Sequence, residues 1–369
     1  MKWIASILTI AACILAGSAL AQDSSEVLAE PEYRNKVLVL PALGSTPETG
    51  LMFGTVVVPQ FKLAGSGPET RSSSLLFSGI YTTKKQILLG LVSDIIFPKE
   101  EWVLYGNYFA NYFPNSYWGI GPDTKKSDEM DILFTEINLE QTVLKKISDG
   151  FFTGPLLKWS KVYNLSFRNS DGDQLPVPED PGADGSVSTG VGWMTRWDKR
   201  DSNMTPTENH FMEFSFLINP AILGSSDPYT SFLVDVRKYI RLARDERSLI
   251  AVQGLIESIS GSPPFLDMAE LGGDRIGRGY YAGRFRDLNA AQVQAEWRKT
   301  LKGRVGFTIF GALGEVWRRY EEFHLSSVKW SAGAGFRFNV NREDPTNIRI
   351  DYGFGKGTSG FYIQFGEAF

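Results

Sequence analysis

One cysteine, Cys13, and two histidines, His210 and His324, are all that the 369 residues contain of these two types. Cys13 lies in the N-terminal apolar stretch. A chain that loses that stretch keeps no thiol for a disulfide framework, a nucleophile or a cysteine metal site. The histidines fall at expected strand ends or loops, which leaves little material for a Ser-His-Asp or histidine-metal centre. No cofactor, metal or catalytic residue is therefore expected. Long apolar runs are missing as well. Past residue 21 nothing approaches the ~18 residues a spanning helix needs, so hydropathy alone describes a secreted soluble chain. Neither sign of charge dominates: 38 Lys and Arg face 42 Asp and Glu, for a net charge of −4 that includes Lys2. Such a balance offers nucleic acid no electrostatic footing.

What is present begins with a leader. Lys2, the apolar run Ile4 to Gly17, and Ala19-Leu20-Ala21 before Gln22 form a secretory signal over residues 1–21. Ile10-Ala11-Ala12-Cys13 is a rival, lipoprotein-type cleavage box. Residues 22–35 are a short acidic leader expected in the periplasm. From residue 36 to 369 the chain reads as strands and turns, with 13% aromatic residues and 37 glycines.

The strands alternate. Ala291, Val293, Ala295 and Trp297 oppose Gln292, Gln294, Glu296 and Arg298. Phe232, Val234 and Val236 oppose Leu233, Asp235 and Arg237. Leu157, Trp159, Tyr163, Leu165 and Phe167 oppose Lys158, Ser160, Asn164, Ser166 and Arg168. Charge on one face of so many strands requires water or a polar interior there, and a membrane barrel supplies both that interior and a lipid-facing exterior. The expected fold is an all-β transmembrane antiparallel barrel of about sixteen strands, an even number as single-chain barrels require. Its first strand spans 36–44 and its last 360–369. Asp171 to Gly185 reads as a long surface loop. Trp102, Tyr105, Tyr108, Tyr112, Tyr117 and Trp118 read as an interfacial aromatic girdle.

Residues 272–286, between expected strands eleven and twelve, hold Arg275, Arg278, Arg284 and Arg286 among glycines. They form the sixth loop on one rim. Asp198, Arg200 and Asp201, with Pro206 and Thr207, lie in a turn on the other rim, and a network of side chain to backbone bonds is expected there.

Four landmarks resemble the BamA/TamA-type outer-membrane assembly superfamily, the bacterial surface antigens, which includes two-partner secretion translocators. These are Trp197 to Asn203 followed by Pro206-Thr207; Arg278-Gly279-Tyr280 at the loop-six tip; Glu296 in the next strand; and Phe361 to Phe369 at the C-terminus. The resemblance implies an integral protein of a Gram-negative outer membrane that assists insertion or translocation of polypeptide or lipid, and no enzyme. It implies loop six folded into the lumen, with Arg278 held by Glu296. It also implies Phe369 as an assembly signal read by the outer-membrane assembly machinery. Partners are then outer-membrane lipid and lipopolysaccharide, that machinery and a polypeptide client, with no nucleic acid. A passive pore or structural barrel is the alternative.

Two departures stand out. Residues 22–35 cannot hold a POTRA domain, and Ala312 occupies the place of an acidic partner in Phe310-Gly311-Ala312-Leu313-Gly314. Glu296 is thus expected to hold Arg278 alone. Pro41 in the first strand cannot donate to a ladder, and Gly366 lies in the facing last strand. A weak closing seam is expected between them.

Overall fold

A computed structural model describes residues 35–67, 69–242, 245–301, 303–341 and 346–369. The expected signal segment and all but the last residue of the leader lie outside the described residues. Among the described residues eighteen strands follow in order. These are β1 (Lys36–Thr46), β2 (Gly50–Phe61), β3 (Ser73–Thr82), β4 (Ile87–Ile96), β5 (Trp102–Tyr117) and β6 (Met130–Ser148). Next come β7 (Phe151–Arg168), β8 (Ser186–Asp198), β9 (Asn209–Asn219), β10 (Tyr229–Leu242) and β11 (Asp245–Gly261). The short pair β12 (Ala269–Leu271) and β13 (Phe285–Asp287) precedes β14 (Asn289–Thr300), β15 (Val305–Trp317), β16 (Lys329–Asn341), β17 (Thr346–Gly355) and β18 (Thr358–Phe365). All but β12 and β13 form one closed antiparallel barrel of neighbours, with β14 following β11. The excluded pair is a hairpin inside loop six.

Closure is uneven. β1 pairs with β2 along its whole length, and β17 with β18 from Ile348↔Phe365 to Gly355↔Thr358. β1 meets β18 at the single register pair Ser45↔Ile363. The first strand does not stop at Pro41: that residue pairs in register with Thr55, and β1 continues to Thr46.

Period-two patterning sorts the side chains as strand geometry requires. Phe232, Val236, Val293 and Trp297 are exposed on the outer face, while Asp235, Arg237, Gln294, Glu296 and Arg298 are buried inside. Three expectations need correction. Phe167 points inward, buried against Phe265; the β6–β7 register slips between Leu133 and Thr135, and Asn164 takes φ 55°, which flips the faces beyond it. Of the supposed girdle, Trp102 and Tyr112 face out, but Tyr117 and Trp118 are buried. The Asp171–Gly185 loop is not wholly superficial: Asp180 accepts a bond from the Tyr117 hydroxyl at 2.5 Å, and the Pro181 carbonyl accepts the Phe265 N–H at 2.8 Å.

The interior is also divided. Met52, Val56, Leu76, Leu88, Phe113 and Phe134 join Phe265 and Leu266 of loop six in one buried apolar cluster. The first strands are therefore apolar on both faces, and their inner face is a packed core. Charge is concentrated along the inner wall of β14, β16 and β17.

Candidate functional site

Loop six runs back into the lumen and lays Arg278-Gly279-Tyr280 against β17 and β18. The approach is possible because glycine meets glycine. Gly279 has φ 111°, and a Cβ there would sit 2.7 Å from the Phe354 nitrogen; one on Gly353 would sit 2.6 Å from the Arg278 carbonyl oxygen. Gly355 gives way in the same manner to the Tyr280 ring. The glycines of 353–355 thus seat the loop tip rather than merely loosen the strand. Hydrogen bonds complete the seat. The Gly279 N–H donates to the Tyr362 hydroxyl at 2.9 Å, the Thr358 hydroxyl donates to the Gly279 carbonyl at 2.9 Å, and the Lys356 N–H donates to the Tyr280 hydroxyl at 3.1 Å.

Arg278 is almost fully buried, at 1% exposure, as is Glu296. Its Nη2 donates to Glu296 Oε1, as the sequence suggested, and its Nη1 donates to Asp351 Oδ2 at 2.5 Å. The guanidinium lies 3.6 Å from the centre of the Phe310 ring. The expectation that Ala312 leaves Arg278 with one acceptor is therefore wrong. The second carboxylate comes from β17, two strands further round the wall. No local signal marked Asp351, because it meets Arg278 only where loop six lies against the inner wall of β14 to β17.

The pair opens into a ring. Glu296 also accepts Arg298 Nε at 2.7 Å. Arg298 approaches Glu367 at 3.8 Å, Glu367 accepts Arg337 Nε at 2.7 Å, and Arg337 donates to Asp351 at 2.5 Å. Three arginines and three carboxylates alternate, so each charge has partners on both sides. Arg349 extends the ring, 3.2 Å from Asp351 and 3.6 Å from Asp274 of loop six. Compensation of this kind is what makes burial of so many charges tolerable.

The Omp85 superfamily domain matches residues 156–369, more than half of the sequence and all of the lock that Glu296 and Asp351 make on Arg278. The chain belongs to the Omp85 superfamily. Its fold is similar to that of BamA from Haemophilus ducreyi lacking POTRA domains 1–3, with a TM-score of 0.62 at 15% identity over 90% of this chain and 70% of that one. It is also similar to CdiB from Escherichia coli (TM-score 0.58, 9% identity, 92% of this chain) and CdiB from Acinetobacter baumannii (0.52, 14%, 89%). The chain spans 63% and 59% of those two CdiB chains. No curated protein matches it by sequence. The Omp85 barrel is an integral protein of the Gram-negative outer membrane.

At the rim opposite loop six, the turn of this Omp85 barrel is a hydrogen-bonded knot. Asp198 pairs with Arg200 at 2.6 Å, and Asp201 accepts the Thr207 N–H at 2.8 Å together with the Thr207 hydroxyl and the Glu208 N–H. Burial alone would push the Asp201 carboxyl up; these three donors outweigh it and hold it below the usual carboxylate range. The Pro206 carbonyl faces Arg298 at 3.4 Å, which links the knot to the ring. His210 stacks edge-on against Trp197.

The C-terminus departs from expectation. β18 ends at Phe365, and Gly366, with φ 76°, turns the last residues inward. Phe369 is buried in the lumen with its ring beside Tyr239 and Arg298, and its carbonyl accepts Arg298 Nη2 at 2.9 Å. It does not stand in the wall.

Sequence reasoning also missed a second anchor. Asp267, early in loop six, accepts Lys158 Nζ at 3.0 Å, the Ser188 hydroxyl at 2.9 Å and the Tyr229 hydroxyl at 3.0 Å. Arg286 is buried, donates to the Phe265 carbonyl at 2.9 Å and lies 3.5 Å from Glu270. No local signal marked the anchor in sequence. Asp267→Asn should strand the Lys158 charge and cost on the order of 3 kcal/mol, as breaking a buried pair does. The expected readout is a lower temperature for loss of compact migration in SDS, with new proteolysis in residues 262–271. Partial recovery on adding Lys158→Met would confirm the pairing, and an unchanged midpoint would refute it.

Proposed function

We propose that this barrel assists insertion or translocation of a polypeptide at the outer membrane, and that substrate leaves through the β1–β18 seam. The observation that carries the reading is the single register pair closing the seam, set against the eleven pairs of β1 with β2. β1 adds Val37, Val39 and Leu43 on its outer face and Leu40 and Ala42 on its inner one. A strand apolar on both sides loses little by facing lipid, so parting here exposes few polar side chains. The backbone groups thereby freed are the edge that an incoming strand would pair with. Lipid and lipopolysaccharide contact the outer band, and the C-terminal strand is read by the assembly machinery before Phe369 is buried.

Photo-crosslinking from an outward β1 position in growing cells tests the reading. Cross-links to unfolded outer-membrane or secreted polypeptide support it; cross-links to lipid alone overturn it. The passive-pore alternative fits poorly with a lumen occupied by loop six, the tail and an apolar core, and it requires large, steady conductance in planar bilayers. The folded chain should remain compact in SDS until heated, because every strand junction but β1–β18 is a multi-residue ladder and leaves detergent little edge to unzip. Migration as an unfolded chain without heating would contradict this. Deleting Phe369 should lower barrel yield in cells more than in unassisted refolding; equal loss in both would reduce it to a packing residue.

A further inference from the structure

We infer that the C-terminal tail, Gly366 to Phe369, is a latch that couples the seam to the loop-six lock, so that releasing one loosens the other. Only one residue, Gly366, separates the end of seam strand β18 from Glu367. The Glu367 carboxylate is held by Arg337 Nε at 2.7 Å and Asn347 Nδ2 at 2.6 Å, and its N–H donates to the Met204 carbonyl of the turn at 2.8 Å. The Ala368 carbonyl accepts Arg275 Nε of loop six at 3.0 Å. The tether is short: two residues reach at most about 7 Å when fully extended. A β18 that moves away from the ring by more than this must therefore pull Glu367 out of it.

The same strand is tied to loop six at its other end, where Tyr362 and Thr358 bond Gly279. β18 is thus held from the lumen at two heights. Glu367 is a positioning residue: it touches Arg337 and Arg298, which in turn hold Asp351 and Glu296 on Arg278. Loss of Glu367 leaves two buried guanidiniums short of a carboxylate, and they compete for the pair that grips Arg278. Loss of Arg278 works backwards along the same path. Asp267 lies outside the ring, which provides a control.

The inference deepens the seam reading above, but its test reads distances rather than activity, so the two can fail separately. Spin labels at Val39→Cys and Phe361→Cys, both exposed on the outer face of the seam strands, report the separation of β1 and β18 in the mature barrel in phospholipid nanodiscs. Glu367→Gln should raise the fraction of long distances severalfold. Arg278→Ala should do the same from the far side of the ring, and the double variant should add little to either. Asp267→Asn should leave the distances unchanged. Asn347→Ala, which removes one Glu367 contact and leaves the ring intact, should give a smaller shift in the same direction and serves if Glu367→Gln fails to fold. A folded Glu367→Gln or Asn347→Ala barrel with an unmoved seam would overturn the latch. So would Arg278→Ala freeing loop six without moving the seam, or an additive double variant.

Discussion

Arg278→Ala is expected to release loop six from the wall and to cost about 3 kcal/mol, the low end of the range for breaking a buried ion pair. The low end applies because Glu296 keeps Arg298, and Asp351 keeps Arg337 and Arg349. What the variant leaves is a closed site with one excess negative charge and an empty place over the Phe310 ring. The sign of that excess gives a sharper expectation than the loss itself. Glu296→Gln alone leaves an excess positive charge. Combined with Arg278→Ala it restores neutrality, so the double variant should be less damaged than the sum of the singles. Asp351→Asn should cost more than Glu296→Gln, since Asp351 faces three arginines and Glu296 two. The temperature at which the barrel loses compact migration in SDS measures all of these. Additive losses would show that the side chains do not share one network, and equal effects of the two carboxylate changes would refute the ring.

The second large effect concerns the seam. Past Cys13 the sequence has no cysteine, so Ser45→Cys with Ile363→Cys places a pair at the one register position that joins β1 to β18. Directly opposed residues of an antiparallel pair stand roughly 4.5–5.5 Å apart at Cα, within the span a disulfide bridges. Oxidation should abolish activity, scored as rescue of growth or as secretion of a client, and reduction should restore it. A locked barrel at full activity would remove the seam as a route and leave the pore or scaffold alternative. The same lock placed between β1 and β2, for example across Leu43↔Phe53, should have no effect, because that ladder is already continuous.

Much of this architecture was legible along the chain because lipid and lumen impose a period of two on every strand. The alternation at Phe232 to Arg237 and at Ala291 to Arg298 gave the strands, their faces and an even count. The turn signals around Asp198 to Thr207 marked a structural knot. Arginines among glycines singled out loop six, and the family resemblance put Arg278 of that loop on Glu296. Asp351 and Glu367 were not legible. They stand well over fifty residues from Arg278, and a carboxylate on an inner face looks the same in sequence whether it meets water or a guanidinium. Phe167 was misassigned because a register slip reverses the faces, and a slip is decided by neighbouring strands. The girdle residues Tyr117 and Trp118 were misplaced because aromatic content cannot distinguish an interface from a loop core.

By itself, then, the sequence determined which segments are strands and, for most of them, which face meets lipid, while the family resemblance singled out Arg278 of loop six as the arginine to be bound. Tertiary structure alone decided what that arginine binds. Folding loop six and the C-terminal tail onto the inner wall of β14 to β17 brings three arginines and three carboxylates around a single point, and only there can they neutralise one another. It also decided how little of the expected weak seam is paired. Pairing strength depends on how many residues of two strands stand in register, and β1 and β18, the ends of the barrel sheet, meet only when the barrel shuts.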